Sequence, residues 1–330
     1  MAAPSVKPQP LPRNVETSSG SQWAMQEIAR HVLRHDPAIQ LPTAQEFQQT
    51  LRVGAGTVQK AFALLEATSA LDTRSHGHQG RFITERDLGR LWSIAGLPPV
   101  EAIMTPPGAL EVYGLPAALE TEFARLGVPL DIRYLRGASA RLDRLKSTAM
   151  GFAVLSMGAW RSQVPEASGE VEFSEYPLGE GTYYADGSII ELSRPGVDIT
   201  DPDTLIGVDH TSFDHVALSR AHFGPLEVRR TVNVAFTIAP AALLHHQIDA
   251  AIWHRMLLLI TPGMAGLIER PLSPMAADSL APLARAVLVT RRENPYLRTV
   301  FNALSVDRIT TSQAEAMHRA SLDDGSTWYR

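Results

Sequence analysis

Two rhythms of apolar residues divide this chain. Over residues 41–83 apolar positions recur at helical spacing, stop at a glycine cluster and then resume. Leu41-Pro42-Thr43 opens a helix, with Thr43 as its cap and Glu46 three residues on, the spacing of a capping box. Phe47 and Leu51 fall on one face. Val53-Gly54-Ala55-Gly56 breaks the run, and Thr57–Leu65 restarts it. Gly77 and Gly80 supply a hairpin turn ahead of Phe82-Ile83. Two short helices joined by a tight turn can place the second in a DNA major groove. Glu85–Leu97 follows as an amphipathic connector, with Leu88, Leu91, Trp92 and Leu97 on its apolar positions.

Beyond residue 97 short β-rich runs alternate with helices, which predicts a parallel-sheet α/β domain. Strands are expected at Val100–Met104, Leu130–Leu135 and Phe152–Ser156, with helices Val112–Leu126 and Ala138–Lys146 between them. Val171–Arg194 holds two or three β segments. A second series follows: strand Leu205–Val208, helix Ser212–Phe223, strand Val228–Val232, helix Pro240–His246 and strand Ala250–Trp253. The chain returns through Leu267–Glu269, strand Ala286–Val289 and helices around Tyr296–Leu304 and Thr311–Arg319. The expected organisation is a flexible tail (1–19), a helical head with a wing (20–84), a linker helix (85–97), a two-lobed α/β domain (98–320) and a tail (321–330). Lobe 1 takes about 98–172 and 275–320, and lobe 2 about 173–274.

Length supports about two domains. The absence of cysteine excludes a disulfide framework and thiolate chemistry. The Pro-rich, polar first residues lack the apolar core of a signal peptide. Apolar runs such as Met256–Ile260 are too short to span a bilayer, so a soluble, cytoplasmic protein without membrane partners is expected. The formal net charge is −5. Within residues 23–86 the cations Arg30, Arg34, Arg52, Lys60, Arg74, Arg81 and Arg86 outnumber the anions Glu27, Asp36, Glu46, Glu66, Asp72 and Glu85 by a single charge. A dedicated DNA module is usually clearly basic, so charge leaves the matter open. His76 and His78 suit a wing contact to phosphate better than a metal, for which their spacing is too short.

In open α/β lobes a ligand sits outside the carboxyl ends of the strands, at helix N-termini. Three corners offer this: Tyr113-Gly114, Arg136-Gly137-Ala138-Ser139, and His210–Asp214 with Thr211 or Ser212 as cap. Facing helix N-termini carry orphan N–H donors and partial positive charge, which favour an anion. The expected ligand-binding set is Tyr113, Gly114, Arg136, Gly137, Ser139, Ser156, Thr211, Ser212, Asp214 and Trp253, for a small carboxylate, sulfonate or phosphate. Arg141, one turn into its helix, either reinforces Arg136 or pairs with Asp143 or another carboxylate. Thr211 and Ser212 either meet ligand or only cap their helix. Trp253 lines the cleft or packs in the core. Tyr183-Tyr184 belongs to a lobe crossing or to the cleft wall.

No catalytic constellation assembles. His245 and His246 are adjacent on a helix and share no face. His210 and His215 bracket Asp209 and Asp214, but as a capped helix start with polar residues. Ser156 lacks a nucleophile elbow, and no dinucleotide or phosphate loop is present. No cofactor and no metal are expected.

Residues 20–84 resemble the GntR-like winged helix-turn-helix repressors, on LPTAQEF, GTVQKA, the LLE-x-x-x-A-L step and GHQGRFI. The resemblance implies binding of double-stranded DNA through Thr43, Thr57, Gln59, Lys60, Arg74 and Arg81. Three family arginines are replaced here by Gln45, Ala55 and Gln59, which weakens or redirects DNA binding, since Arg best fits phosphate and guanine. The two lobes resemble the type 2 periplasmic-binding-protein fold used by LysR-like effector domains. From about residue 40 to 320 the chain is similar to YhfZ-type regulators, carried by MTPP before YGLPAAL, RYLRGASARLDRL, AVLSMGAW, DHTSFD, IDAAIWH and AVLVTRRENP. It departs where such domains often have Asp-Phe-Ala-Val, having Gly151-Phe152-Ala153-Val154. The resemblance implies a homodimeric, ligand-responsive transcription regulator with a small anionic effector. The alternative is a metabolite-binding or catalytic protein whose winged helix no longer reads DNA.

Overall fold

The computed structural model describes residues 20–35, 40–75, 81–163, 173–258 and 260–323. The chain divides into two compact units, Met1–Leu97 and Pro98–Arg330. Residues 1–19, 324–330, Asp36 and the expected turn at 76–80 lie outside the described residues, whereas 321–323, expected as tail, are the end of the last helix.

In the first unit, α1 (Gly20–Arg34), α2 (Ala44–Leu51) and α3 (Ala55–Ala67) precede an antiparallel pair, β1 (Leu71–Ser75) and β2 (Arg81–Arg86), then α4 (Leu88–Ile94). Thr43 caps α2 in a full capping box. Its hydroxyl accepts from the Glu46 N–H at 3.2 Å, and the Glu46 carboxylate accepts from the Thr43 N–H at 2.7 Å. α2 ends at Arg52, which takes a left-handed conformation (φ 54). Ile28, Val32, Leu33, Phe47, Val58, Phe62 and Leu65 interlock as the core. Burying each large side chain contributes about 1.5–3 kcal/mol. The expected connector is part of this unit. β2 runs to Arg86, Asp87 caps α4, and Leu91 and Trp92 are buried. Arg30 and Gln26 of α1 donate to the Ala95 carbonyl.

The second unit has two lobes. In lobe 1, β3 (Val100–Met104), α5 (Leu110–Arg125), β4 (Leu130–Tyr134), α6 (Ala138–Lys146), β5 (Gly151–Ser156), α7 (Met157–Gln163) and β6 (Phe173–Pro177) come first. In lobe 2, β7 (Ile189–Ser193), β8 (Leu205–Val208), α8 (Phe213–Phe223), β9 (Arg230–Asn233), α9 (Ala239–Leu244), β10 (Ala250–His254), β11 (Ile268–Pro271) and α10 (Pro274–Leu280) follow. The chain then re-enters lobe 1 as β12 (Ala286–Arg291), α11 (Pro295–Ala303) and α12 (Val306–Asp323). The strand orders are β4-β3-β5-β12-β6 and β11-β7-β10-β8-β9.

Neither sheet is all parallel, as the alternation of strands and helices predicted. β12 runs antiparallel to β5 and β6, and β7 antiparallel to β10 and β11. The cause is the double crossing: a strand that enters a sheet from the other lobe arrives without a βαβ crossover and can run either way. β6 also joins the lobe 1 sheet, so the first crossing falls after Pro177 rather than at residue 173. β5, β7 and β10 are buried throughout, which explains why they are mostly apolar; the exceptions within β7, Glu191 and Ser193, are hydrogen-bonded to each other. Gly151 cannot carry a side chain here, because a Cβ would stand 2.9 Å from the Glu101 carbonyl oxygen.

Candidate functional site

The second unit encloses a cavity of about 220 Å³ between its lobes. Lobe 1 contributes the Thr105–Ala109 loop, Val112, Arg136, Gly137 and Arg141; the crossing contributes Tyr183 and Tyr184. Lobe 2 contributes Asp209, Thr211–Asp214, Phe236 and Thr237, together with His254 and Met256. Gly137 caps α6 with φ 84, a conformation that favours glycine and exposes the first amides of the helix.

Arg141 is the central cation. It is only 3% exposed, and it donates to the Leu135 carbonyl at 3.1 Å and to the Tyr183 hydroxyl at 3.3 Å. Its Nε has no partner among the described residues. Asp143, the carboxylate nearest in sequence, pairs instead with Lys146. Arg136 reaches across the cleft to donate to the Thr237 hydroxyl at 3.1 Å.

Asp214 is 4% exposed on the opposite wall. Its Oδ2 accepts from the Tyr184 hydroxyl at 2.7 Å, whereas Oδ1 has no bond of normal length among the described residues. Burial raises its pKa; the nearby Ser156 and Tyr184 hydroxyls and the Arg141 charge act against that. Burial, then the Asp214 charge, pushes the Tyr184 phenol well above its ordinary value, so it remains a neutral donor. Asp209 is a structural anchor. One oxygen accepts from the Thr211 N–H and hydroxyl at 3.0 and 2.6 Å, the other from the Phe236 N–H at 3.2 Å.

Behind the cleft, Glu111 of α5 is fully buried and ties the lobes together. It accepts from the Ala185 N–H at 2.7 Å and from His254 Nε2 at 3.2 Å. Burial alone would raise its pKa; the charge and hydrogen bond of His254 and the Ala185 N–H outweigh that and hold it at about 2. Gln313 of α12 clamps the same place, donating to the Glu111 and Thr182 carbonyls.

Five of the expected ligand residues line the cavity: Arg136, Gly137, Thr211, Ser212 and Asp214. Ser212 also caps α8. Five do not line it. α5 begins at Leu110, not Val112, so Tyr113 lies a turn inside it and is 53% exposed. Gly114 packs against α12, where a Cβ would stand 2.9 Å from the Gln313 carbonyl oxygen. The corner that faces the ligand space is Thr105–Ala109. Ser139 bonds to Gln163 on an exposed face. Ser156 is buried behind Asp214 and accepts from the Ala159 N–H at 3.0 Å. Trp253 packs in the lobe 2 core with Ile190, Leu192, Leu243 and Ile248. Strand alternation turns the next residue, His254, toward the cleft instead. Arg141, Tyr183, Tyr184, Phe236 and His254 also line the cavity and are among the lining residues outside the expected set. The only sequence signals for them were the helix position of Arg141 and the location of the tyrosine pair.

His215 is committed on both ring nitrogens. His215 Nδ1 accepts from the Asp209 N–H, so Nε2 donates to the Ile252 carbonyl. Burial lowers its pKa and keeps it neutral. Among the described residues no group of three or more His, Asp or Glu gathers to hold a metal ion. A larger groove of about 1220 Å³ lies between α8 and α10, but Arg220 there pairs with Glu227 and His222 is engaged on both ring nitrogens.

In the first unit, Gln59 and Lys60 are exposed on α3 and Arg74 is exposed on β1, while Thr57 is half-buried. The Thr43 hydroxyl is used in its capping box. Arg81 is held in place, donating to Glu66 at 3.1 Å and Thr73 at 2.8 Å, with its guanidinium 4.5 Å from the Phe62 ring centre. The first turn of α3 presents Gly54, Ala55 and Gly56, with no side-chain cap. His76, His78, Gly77 and Gly80 lie outside the described residues. No helix among the described residues is long and apolar enough to cross a membrane.

A crystal structure of YhfZ from Shigella flexneri shares this fold, with a TM-score of 0.52 at 22% identity over 71% of this chain and 96% of that one. A Corynebacterium glutamicum OxyR C206 mutant aligns more loosely, with a TM-score of 0.43 at 11% identity over 96% of this chain and 98% of its own. The ligand-binding component of an ABC-type import system from Staphylococcus aureus, with zinc bound, gives 0.44 at 15% identity over 66% of this chain and 84% of its own. No curated protein sequence matches the chain. The family model described as the YhfZ C-terminal domain matches residues 87–323, well over half of the sequence, and the chain belongs to that family.

Proposed function

We propose that the chain is a cytoplasmic, ligand-responsive transcription regulator that acts as a homodimer. The first unit is a GntR-like winged helix-turn-helix that binds double-stranded DNA. The second is a periplasmic-binding-protein-like effector domain that senses a small anionic metabolite. The observation that carries the sensing role is Arg141: buried, without a carboxylate partner among the described residues, and facing a cavity enclosed by both lobes. A buried cation is costly unless compensated, and a ligand anion supplies the compensation.

For DNA, Gln59 and Lys60 stand exposed on α3, whose glycine-rich first turn lets a phosphate come close to free amides. Gln59 reads adenine and Lys60 meets phosphate. Ligand changes DNA affinity only insofar as it binds the two states of the protein differently. Measuring duplex binding by Gln59→Ala and Lys60→Ala tests this: the first should relax base preference, the second should weaken all sequences alike. Sequence-blind losses from both would remove base reading.

The second reading, a metabolite-binding or catalytic protein with a head that no longer reads DNA, is favoured by one observation. Arg81, the guanidinium of the second hairpin strand, is committed to Glu66, Thr73 and Phe62. Accumulation of a product from a bound metabolite would support it.

A further inference from the structure

Resting on the reading of the cleft as a ligand site, we propose that its ligand is a small zwitterion, carrying one anionic group and one protonated amine, as an α-amino acid does. The anionic group sits against Arg141 and Arg136, and the ammonium sits against Asp214.

The cleft holds two buried, opposite charges, one from each lobe. Arg141 Nε has no hydrogen bond among the described residues, and Asp214 has only the Tyr184 and Ser156 hydroxyls beside it and no cationic partner there. Buried opposite charges ordinarily pair directly, because an isolated charge costs several kcal/mol in a low dielectric. These two do not pair. Adjacent tyrosines hold each one separately: the Tyr183 hydroxyl accepts from Arg141, and the Tyr184 hydroxyl donates to Asp214. Their rings stand 4.9 Å apart, edge to face. Two other ionisable groups of the wall already have protein partners: Asp209 accepts from Thr211 and Phe236, and His254 Nε2 is bonded to Glu111. Arg141 and Asp214 are two buried charges of the wall that meet no opposite charge among the described residues, and a ligand can complete both.

A simple anion would satisfy Arg141 but add a negative charge beside Asp214. A simple amine would satisfy Asp214 and meet Arg141. A zwitterion complements both, with its charges in the reverse order. A cavity of about 220 Å³ has room for roughly seven water volumes, hence a molecule of about ten non-hydrogen atoms at most. Pro106, Pro107, Val112, Phe236 and Met256 give it an apolar wall for a short aliphatic side chain.

The test is thermal unfolding of the full chain with the twenty L-amino acids, each beside its deaminated carboxylic acid, together with inorganic phosphate and sulfate. At least one amino acid is expected to raise the midpoint by about 5 °C near hundredfold saturation. Its deaminated partner should give little shift. Titration calorimetry should show Asp214→Asn losing tenfold or more in affinity for that amino acid, with binding of the deaminated acid unchanged or improved. If a deaminated acid, phosphate or sulfate stabilises the wild-type chain as well as any amino acid does, the zwitterion proposal is overturned and the anion site stands. A flat response to every probe overturns both. The wild-type comparison stands even if the variant fails to fold.

Discussion

Replacing Glu111 by Gln measures how strongly one buried carboxylate joins the lobes. Glu111 is completely buried, and its two oxygens accept from the Ala185 N–H and from His254. Burial works against the charge, but His254 and Ala185 overcome it and bring the pKa from 4.5 to about 2. At about 1.36 kcal/mol per pH unit, the ionised form stabilises the fold by about 3 kcal/mol relative to the neutral one. Because the folded pKa is depressed, this contribution is present above pH 4.5 and is lost as the pH falls toward 2. Glu111→Gln should therefore cost about 3 kcal/mol at pH 7 and roughly half of that at pH 3. Urea unfolding, followed by hydrogen exchange in peptides of the second unit, separates this loss from any transition of the first unit. A cost below about 0.5 kcal/mol, or one that does not change between the two pH values, would mean that the Glu111 charge does not hold the lobes together.

Four further outcomes follow from the packing and the caps. Gly114→Val should destabilise the second unit by about 1–3 kcal/mol through overpacking against α12, yet leave ligand selectivity unchanged; altered selectivity at wild-type stability would return this residue to the binding set. Trp253→Phe removes a buried indole N–H that has no partner among the described residues, so calorimetric stability should change by less than about 1.5 kcal/mol and ligand affinity not at all. Thr43→Ala should cost about 1 kcal/mol of first-unit stability through loss of its cap, read by chemical denaturation. Arg81→Ala should destabilise the first unit as well as affect DNA binding, because it joins the hairpin to α3; a change in DNA affinity with an unchanged unfolding midpoint would contradict that placement.

The local elements were largely legible in the sequence. The capping box at Thr43, the strand Val100–Met104 and the helix Ala138–Lys146 follow from spacing alone. Short helices such as α7 and α10 escaped, since seven residues make too few turns to show a period. Strand direction escaped for a different reason: apolar runs mark buried strands but carry no sign of which way the neighbour runs, and only the crossings decide it. Half of the expected cleft residues line the cavity because strand ends and helix caps are local signals. Gly114 and Trp253 show the limit. Gly114 belongs to a helix that begins two residues earlier than its pattern suggests, and Trp253 differs from His254 only in strand phase. Arg141 was ambiguous because an arginine in sequence does not reveal whether a carboxylate will meet it.

The most direct test of the regulator reading is fluorescence anisotropy of the purified chain with duplex from the region flanking its own coding sequence, against scrambled duplex, across a salt series. A regulator should bind its own flanking duplex specifically and with a steep salt slope, as lysine and helix N-terminal contacts displace counterions. Weak and equal binding to both duplexes at moderate salt would contradict it, and the cleft alone would then carry the function.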